Sequence, residues 1–193
     1  MKHELFLIAP GQGTADDFRP ALNSALEIVS ISALLLKQGE RSEEAYAQFV
    51  EAIAPLAQQK GVAVLLDNRP ELVRALGVDG VHMTGGIKAV REALDALKPD
   101  FIVGTGDIGA RHEAMLRGEL EIDYLMFGDR QVPEWTGADL ANWWAETFEV
   151  ASVYLAENVD DPAIANLQSE FLGLPETMWS DTEALARLAE AGK

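Results

Sequence analysis

Short apolar runs alternate with longer amphipathic stretches from one end of the chain to the other. Each run is apolar at consecutive positions, which is typical of strands covered on both faces, as in a parallel sheet. The stretch of residues 43–60 has apolar residues three or four positions apart from Ala45 to Leu56, which predicts a helix packed on that sheet. The pattern therefore predicts about eight βα units. The apolar runs are residues 5–9, 31–36, 62–66, 80–83, 101–103, 124–127, 153–155 and 171–174.

Local signals delimit several of the helices between these runs. Pro70 at a first helical position and Gly77 at the end define a short third helix. Pro20 is expected in the first turn of the first helix, where a missing N–H costs little. The Ser-x-x-Glu spacing that begins at Ser180 predicts a capping box at the start of the last helix. The other predicted helices are residues 17–27, 43–60, 87–97, 110–117, 138–148 and 162–168.

Two α/β folds share this order of elements. Eight units in 193 residues match the lower size limit of a compact (β/α)8 TIM barrel. An open, doubly wound parallel sheet gives the same alternation, and local pattern does not separate the two. Because no linker or change of composition interrupts the chain, residues 1–193 are predicted to form one domain.

Composition narrows the classes of function. Lys and Arg total 15 against 32 Asp and Glu, for a net charge of −17, which disfavours sequence-independent binding to nucleic acid. The chain has no cysteine, so thiol catalysis and Cys-based metal sites are excluded. No apolar run approaches the roughly 18 residues of a membrane helix. We expect a cytoplasmic protein that acts on a small molecule and binds neither nucleic acid nor membrane.

In both candidate folds ligands bind at the carboxyl ends of the strands. Many of the residues that follow the apolar runs are acidic, and Mg²⁺ prefers carboxylate oxygens. A magnesium site is therefore one interpretation, and capping of the following helices is the other. The acidic residues in question are Asp67, Asp107, Asp129 and Glu157.

Histidine and tryptophan supply further candidates. His82 ends an apolar run and is interpreted either as a base or ligand or as a hydrogen-bonded residue of the rim. Trp135, Trp143 and Trp144 are predicted to pack the sixth helix against the sheet. The tryptophans of that helix are also a candidate contact surface for a homodimer.

Residues 104–109 read GTGDIG, a G-x-G-x-x-G motif between a strand and a helix. Asp129 follows about twenty residues later, as in the dinucleotide-binding fingerprint. Against that function, four βα units precede the motif, whereas the fingerprint normally opens its domain. Glycine also occurs in strand-to-helix turns for local reasons.

Three segments in the middle of the chain form a recognisable set: residues 64–72 (VLLDNRPEL), 75–83 (ALGVDGVHM) and 122–128 (IDYLMFG). In order and spacing they resemble the thiamine phosphate synthase and TenI family. The resemblance implies a compact (β/α)8 barrel. It further implies Mg²⁺-dependent joining of a hydroxymethylpyrimidine diphosphate to a thiazole phosphate with release of pyrophosphate, or, in the TenI branch, tautomerisation of a thiazole phosphate.

The resemblance also implies site residues, with departures from the family pattern. Asp67 corresponds to a metal ligand, and the implied substrate-binding residues are Lys37, Asn68, Arg69, His82, Thr105 and Asp107. At the expected phosphate-binding turns the chain instead has Glu157 and Glu176, and a carboxylate disfavours an anionic group unless a cation lies between them. A catalytically inactive or repurposed barrel is therefore the alternative to a divergent synthase.

Overall fold

The computed structural model describes residues 3–130, 134–158 and 160–191. In this part of the chain eight parallel strands form a closed barrel in chain order, with β1 also paired to β8. Closure confirms the (β/α)8 barrel and excludes the open sheet. The strands are β1 (Glu4–Ile8), β2 (Ile31–Leu36), β3 (Ala63–Asp67), β4 (Gly80–Met83), β5 (Ile102–Thr105), β6 (Tyr124–Phe127), β7 (Ala151–Leu155) and β8 (Phe171–Pro175).

Helices follow most of the strands and cover the outside of the barrel. The two shortest crossovers contain 3₁₀ turns at Pro70–Leu72 and Pro162–Asn166. None of the helices in the described ranges has the length and apolar character needed to cross a bilayer. The helices are α1 (Ala15–Ile28), α2 (Glu43–Gln58), α3 (Val73–Leu76), α4 (Ile87–Leu97), α5 (Arg111–Gly118), α6 (Gly137–Thr147), α7 (Glu176–Trp179) and α8 (Thr182–Ala191).

Alternate residues of each strand pack into two separate hydrophobic layers. Leu5 and Leu7 of β1 face the helices and are fully buried, whereas Phe6 and Ile8 face the barrel interior. Because both layers are apolar, the strands read as continuous apolar runs in the sequence. The interior layer comprises Phe6, Ile8, Ala33, Leu35, Leu65, Tyr124, Met126 and Val153.

Three local predictions were wrong. Residues 162–168 do not form an α-helix, because the short crossover is limited to a 3₁₀ turn that the Asp161 carboxylate caps at the N–H of Ala163. The last helix is capped not by Ser180 but by Asp181, whose carboxylate accepts hydrogen bonds from the next helical N–H groups. Pro20 lies in the second turn of α1, because the helix already begins after the capping residue Thr14.

Two tryptophans of the sixth βα unit differ in burial. Trp144 is buried and packs against Phe127 and Phe148, as predicted. Trp135, in contrast, is exposed and lies beneath the guanidinium of Arg111, 3.9 Å from the ring centroid, so its predicted packing role was wrong.

Candidate active site

Five residues meet at the carboxyl ends of β2 to β6 and are here called the mouth: Lys37, Asp67, His82, Gly106 and Asp129. Strand alternation continues the interior face of β2 to Lys37 and that of β3 to Asp67. The positive charge of Lys37 lowers the pKa of both His82 and Asp129, in agreement with this placement. The mouth is therefore the place where a ligand would contact several strands at once.

His82 is a buried, neutral imidazole. Its Nδ1 lies 2.8 Å from the hydroxyl oxygen of Tyr124, and the two rings stack. Burial lowers the pKa of His82 to about 3, and the positive charges of Lys37 and Arg117 act in the same direction. His82 therefore presents an uncharged ring to the mouth near neutral pH, through the nitrogen that Tyr124 does not contact.

Two glycines of the GTGDIG motif make room for these side chains. A β-carbon at Gly104 would overlap the ring of Tyr124. A β-carbon at Gly106 would overlap Oδ2 of Asp129 and lie 2.8 Å from Nε2 of His82. The motif is therefore explained by packing inside a closed barrel. That barrel lacks the open-sheet crevice of the dinucleotide-binding fold, so the fingerprint interpretation is not supported.

Asp107 and Asp129 are joined through the backbone. Asp107 adopts a left-handed conformation with φ of 57°, which Asp tolerates better than most residues. Its N–H donates to Oδ2 of Asp129 over 2.6 Å, which fixes the Asp129 carboxyl against Gly106. Partial desolvation raises the pKa of Asp129, the Asp107 carboxylate raises it further, and the backbone hydrogen bonds and Lys37 oppose the shift.

Asn68 links the ends of β3 and β4. Its amide donates to Oδ1 of Asp67 and to the hydroxyl of Thr84, and its carbonyl accepts the N–H of Thr84 over 2.8 Å. The buried Tyr46 hydroxyl accepts the N–H of Asp67 and donates to the carbonyl of Leu36, which ties β3 to β2. Asn68 is thus engaged in holding Asp67, and its role in binding substrate stays a prediction.

Arg69 lies on the loop after β3, where acidic and amide groups surround its guanidinium. It pairs with Glu71 at 2.5 Å and with Glu43 at 2.9 Å, and it donates to the side-chain oxygen of Gln38. The hydrogen bond to Glu71 is the largest cause of a raised pKa for Arg69. Any phosphate bound by Arg69 would have to compete with these carboxylates.

Thr105, another predicted site residue, points away from the mouth. It is fully buried on the outer face of β5, where its hydroxyl donates to the carbonyl of Met83 and accepts from Arg117. Arg117 also pairs with Glu113, which accepts the N–H of Gly109. Thr105 therefore supports the GTGDIG loop from behind.

Arg41 was not among the predicted site residues, although it joins two loops of the site. Its guanidinium donates to backbone carbonyls of the loops after β1 and β2 and lies 3.9 Å from the ring centroid of Phe49. In addition, a β-carbon at Gly39 would overlap the backbone of Gly11, so the two loops touch directly. Lys37 follows β2 within this locked pair of loops. The carbonyls that accept from Arg41 belong to Pro10, Gln12, Gly13 and Lys37.

A second cavity, of about 430 Å³, lies beside the mouth between the segments that follow β6 and β7. Its lining includes Arg130, Tyr154 and Glu157, and the Tyr154 hydroxyl donates to Asp161 over 2.5 Å. The predicted Glu157 thus lines a cavity whose other charged residues are Arg130 and Asp161. The side chain of the predicted Glu176, the first residue of α7, lies outside the described part of the structure.

The interpretation in which four carboxylates converge on one cation finds no support in the described residues. Across residues 3–130, 134–158 and 160–191, no three Asp, Glu, His or Cys side chains are arranged to hold a metal ion. The physical reason is their spread around the rim: Glu157 lines the second cavity, and Asp129 is held toward Asp107. Mg²⁺ often binds through one or two carboxylates together with substrate phosphates, so Asp67 remains compatible with a shared site.

A closed parallel barrel with charged groups gathered at the carboxyl ends of its strands defines a TIM-barrel protein whose ligand site lies at that face. A family model described as thiamine monophosphate synthase matches residues 5–156, which include all five residues of the mouth. The chain belongs to the thiamine monophosphate synthase family.

Individual relatives agree with this assignment. A thiamine-phosphate synthase of Rhodospirillum centenum is 31% identical over 184 residues, which cover 91% of this chain and 89% of the relative. A synthase of Hyphomonas neptunium is 36% identical over 129 residues, covering 64% of this chain and 58% of the relative. The structure of a thiamine phosphate pyrophosphorylase from Pyrococcus furiosus superposes with a TM-score of 0.79 at 16% identity, covering 98% of this chain and 96% of that one, and supports the fold. The family matches do not favour the repurposed-barrel alternative.

Proposed function

We propose that this protein is a thiamine-phosphate synthase of thiamine biosynthesis. It joins a hydroxymethylpyrimidine diphosphate to a thiazole phosphate and releases pyrophosphate. The observation that carries the proposal is the family match over residues 5–156, which spans the mouth and the seven strands β1 to β7. The small phosphorylated substrates of the family fit an open site at the strand ends.

Lys37 is the residue best placed to hold the diphosphate. It is exposed, and its positive charge acts on the groups across the mouth. When the bond between the pyrimidine methylene carbon and the diphosphate oxygen breaks, the oxygen keeps the electron pair and the carbon becomes cationic. The thiazole nitrogen then forms the new bond to that carbon. A fixed cation at the leaving group lowers the energy of this charge separation.

Magnesium belongs to the same proposal. Bound Mg²⁺ would neutralise part of the charge of the departing diphosphate. Asp67 would hold the ion together with diphosphate oxygens, since Asn68 orients its carboxylate from one side. The homodimer and the cytoplasmic location stay predictions, and light scattering of the purified protein tests the first of them.

The direct test is an assay in which the purified protein makes thiamine phosphate in the presence of Mg²⁺. The product is detected by chromatography. We expect Lys37→Met to lower the rate by about a hundredfold or more. Lys88→Met is the matched control, because Lys88 lies exposed on α4 and pairs with Glu92. Asp67→Asn is expected to raise the Mg²⁺ concentration needed for half-maximal rate, and Asp95→Asn, an exposed position of α4, is not. Absence of product from the unaltered protein would overturn the proposed function.

A further inference from the structure

Asp129 is placed in the mouth by specific contacts that the proposed chemistry leaves unexplained. The Asp107 N–H holds its carboxyl, and that carboxyl and Nε2 of His82 crowd the same side of Gly106. A side chain at position 106 would displace both groups, so the glycine keeps them side by side. This pairing joins the ends of β4, β5 and β6 in one arrangement.

A carboxyl group in this position does not suit the anionic part of the substrate. Asp67 and Asp107 already make this side of the mouth acidic, and a diphosphate beside another carboxylate would be repelled unless a cation intervened. The pyrimidine part of the same substrate is different. A 4-aminopyrimidine carries an exocyclic amino group, which donates hydrogen bonds, beside a ring nitrogen, which accepts them.

The surroundings of Asp129 suit this amino group and the ring nitrogen beside it. A carboxyl oxygen accepts from an amino group, and a neutral imidazole next to it can complete the contact without adding charge. His82 is such an imidazole, since it is buried and its other nitrogen contacts Tyr124. Because the Asp107 N–H fixes Oδ2, the carboxyl is oriented before a ligand arrives.

We propose that Asp129 selects the pyrimidine substrate by accepting a hydrogen bond from its exocyclic amino group. This inference rests on the proposed synthase function. The contact also acts during reaction. When the diphosphate leaves, the positive charge of the methylene carbon spreads through the ring to the amino nitrogen, and a carboxylate bonded there stabilises it. Loss of Asp129 therefore lowers kcat as well as binding, whereas loss of a structural residue reduces the amount of folded protein.

Binding of two unphosphorylated probes tests the selection directly. The probes are 4-amino-5-hydroxymethyl-2-methylpyrimidine and its 4-oxo analogue, measured by calorimetry. We expect the unaltered protein to favour the amino probe by roughly ten- to a hundredfold, as for a hydrogen bond to a charged group. Equal affinity for both probes overturns the proposal without any variant.

Variants of Asp129 test whether this residue causes the preference for the amino probe. Asp129→Asn keeps an oxygen that can accept the Asp107 N–H, and its amide can donate to the oxo group, so the preference should vanish or reverse. Asp129→Ala should abolish it, and Asp95→Asn should leave it unchanged. Unchanged selectivity in folded Asp129→Asn or Asp129→Ala, checked by circular dichroism, contradicts the assignment.

Parallel synthase assays separate this inference from the function on which it rests. Active protein whose probe selectivity does not depend on Asp129 overturns the inference and leaves the function standing. Inactive protein that still binds the amino probe in an Asp129-dependent manner overturns the synthase function and supports the recognition site. In active protein we also expect Asp129→Asn to lower kcat by at least tenfold.

Discussion

The hydroxyl oxygen of Tyr124 lies 2.8 Å from Nδ1 of His82 inside the barrel, directly below the mouth. Both side chains are buried, and burial keeps both uncharged: it lowers the pKa of His82 and raises that of Tyr124. The pair is therefore uncharged and lies beneath Lys37 and Asp129. Its burial makes the free energy of unfolding depend on pH.

Acid should destabilise the protein through His82. In the unfolded chain the imidazole gains a proton below about pH 6.5, whereas the native site resists protonation until its pKa of about 3. The unfolded state thus binds more protons between these values, so the free energy of unfolding falls as the pH falls, by up to about 1.4 kcal/mol per pH unit. Urea unfolding between pH 7 and pH 5 should show a smaller decline for His82→Gln. His112→Gln, at an exposed position, should follow the unaltered protein, and equal slopes for all three would contradict the assignment.

Gly106→Ala should disturb the mouth more than the fold. The added methyl group would overlap the Asp129 carboxyl and press on His82. We expect a loss of about 1–3 kcal/mol in unfolding free energy, as for overpacking, and at least tenfold lower synthase activity. Gly86→Ala is the control, since nothing lies within 4 Å of its added β-carbon. An active Gly106→Ala protein would show that His82 and Asp129 need not adjoin.

Arg41→Met should separate the two loops that it joins. The substitution leaves backbone carbonyls from both loops without their donor. We expect a loss of about 1–3 kcal/mol of stability and a raised KM for the diphosphate substrate, because Lys37 loses its support. Arg19→Met removes a half-exposed arginine of α1 that pairs with Asp16, and should cost no more than about 1 kcal/mol. A KM that stays unchanged in folded Arg41→Met would show that Lys37 does not depend on this clamp.

Arg117→Met should loosen the GTGDIG loop from its outer side. Arg117 is buried and joins Glu113 to Thr105, so its removal leaves a half-buried carboxylate without its partner. We expect a loss of about 2–4 kcal/mol, somewhat less than for a fully buried pair. Arg74→Met breaks the exposed pair with Asp100 and should change thermal stability little. Calorimetric melting of both variants gives the comparison, and equal shifts would contradict a special role for Arg117.

Several site residues were chosen because they come near the end of a predicted strand. Such a residue lies at the mouth only if its side chain is also on the interior face of that strand. Asp67 ends β3 and His82 lies near the end of β4, and both reach the mouth because each shares the interior face of its strand. Thr105 also follows from strand order, but it lies one residue out of phase with Gly104 and Gly106 and faces Arg117. The alternation of side chains along β5 and β6 would have predicted that Thr105 faces outward and that Tyr124 lies inside the barrel.

Other features had no local signal. Arg41 is one charged residue among many in the sequence, and its function arises from carbonyls that lie up to 31 positions away. The contact between Gly11 and Gly39 is likewise visible only when two loops meet. Asp129 appeared in the sequence as an acidic residue at the correct spacing for a ribose contact, whereas the structure places it against Gly106.

The sequence by itself determined the order of strands and helices, because continuous apolar runs and helical spacing are local consequences of burial on two faces. Its family motifs also identified the barrel. The tertiary structure alone decided which of the polar residues at the strand ends meet. Closing the barrel brings neighbouring strand ends together and separates distant ones, so His82 and Asp129 both border Gly106 while Glu157 lines another cavity. Hydrogen bonds and excluded volume act over a few ångströms in space, whatever the distance along the chain.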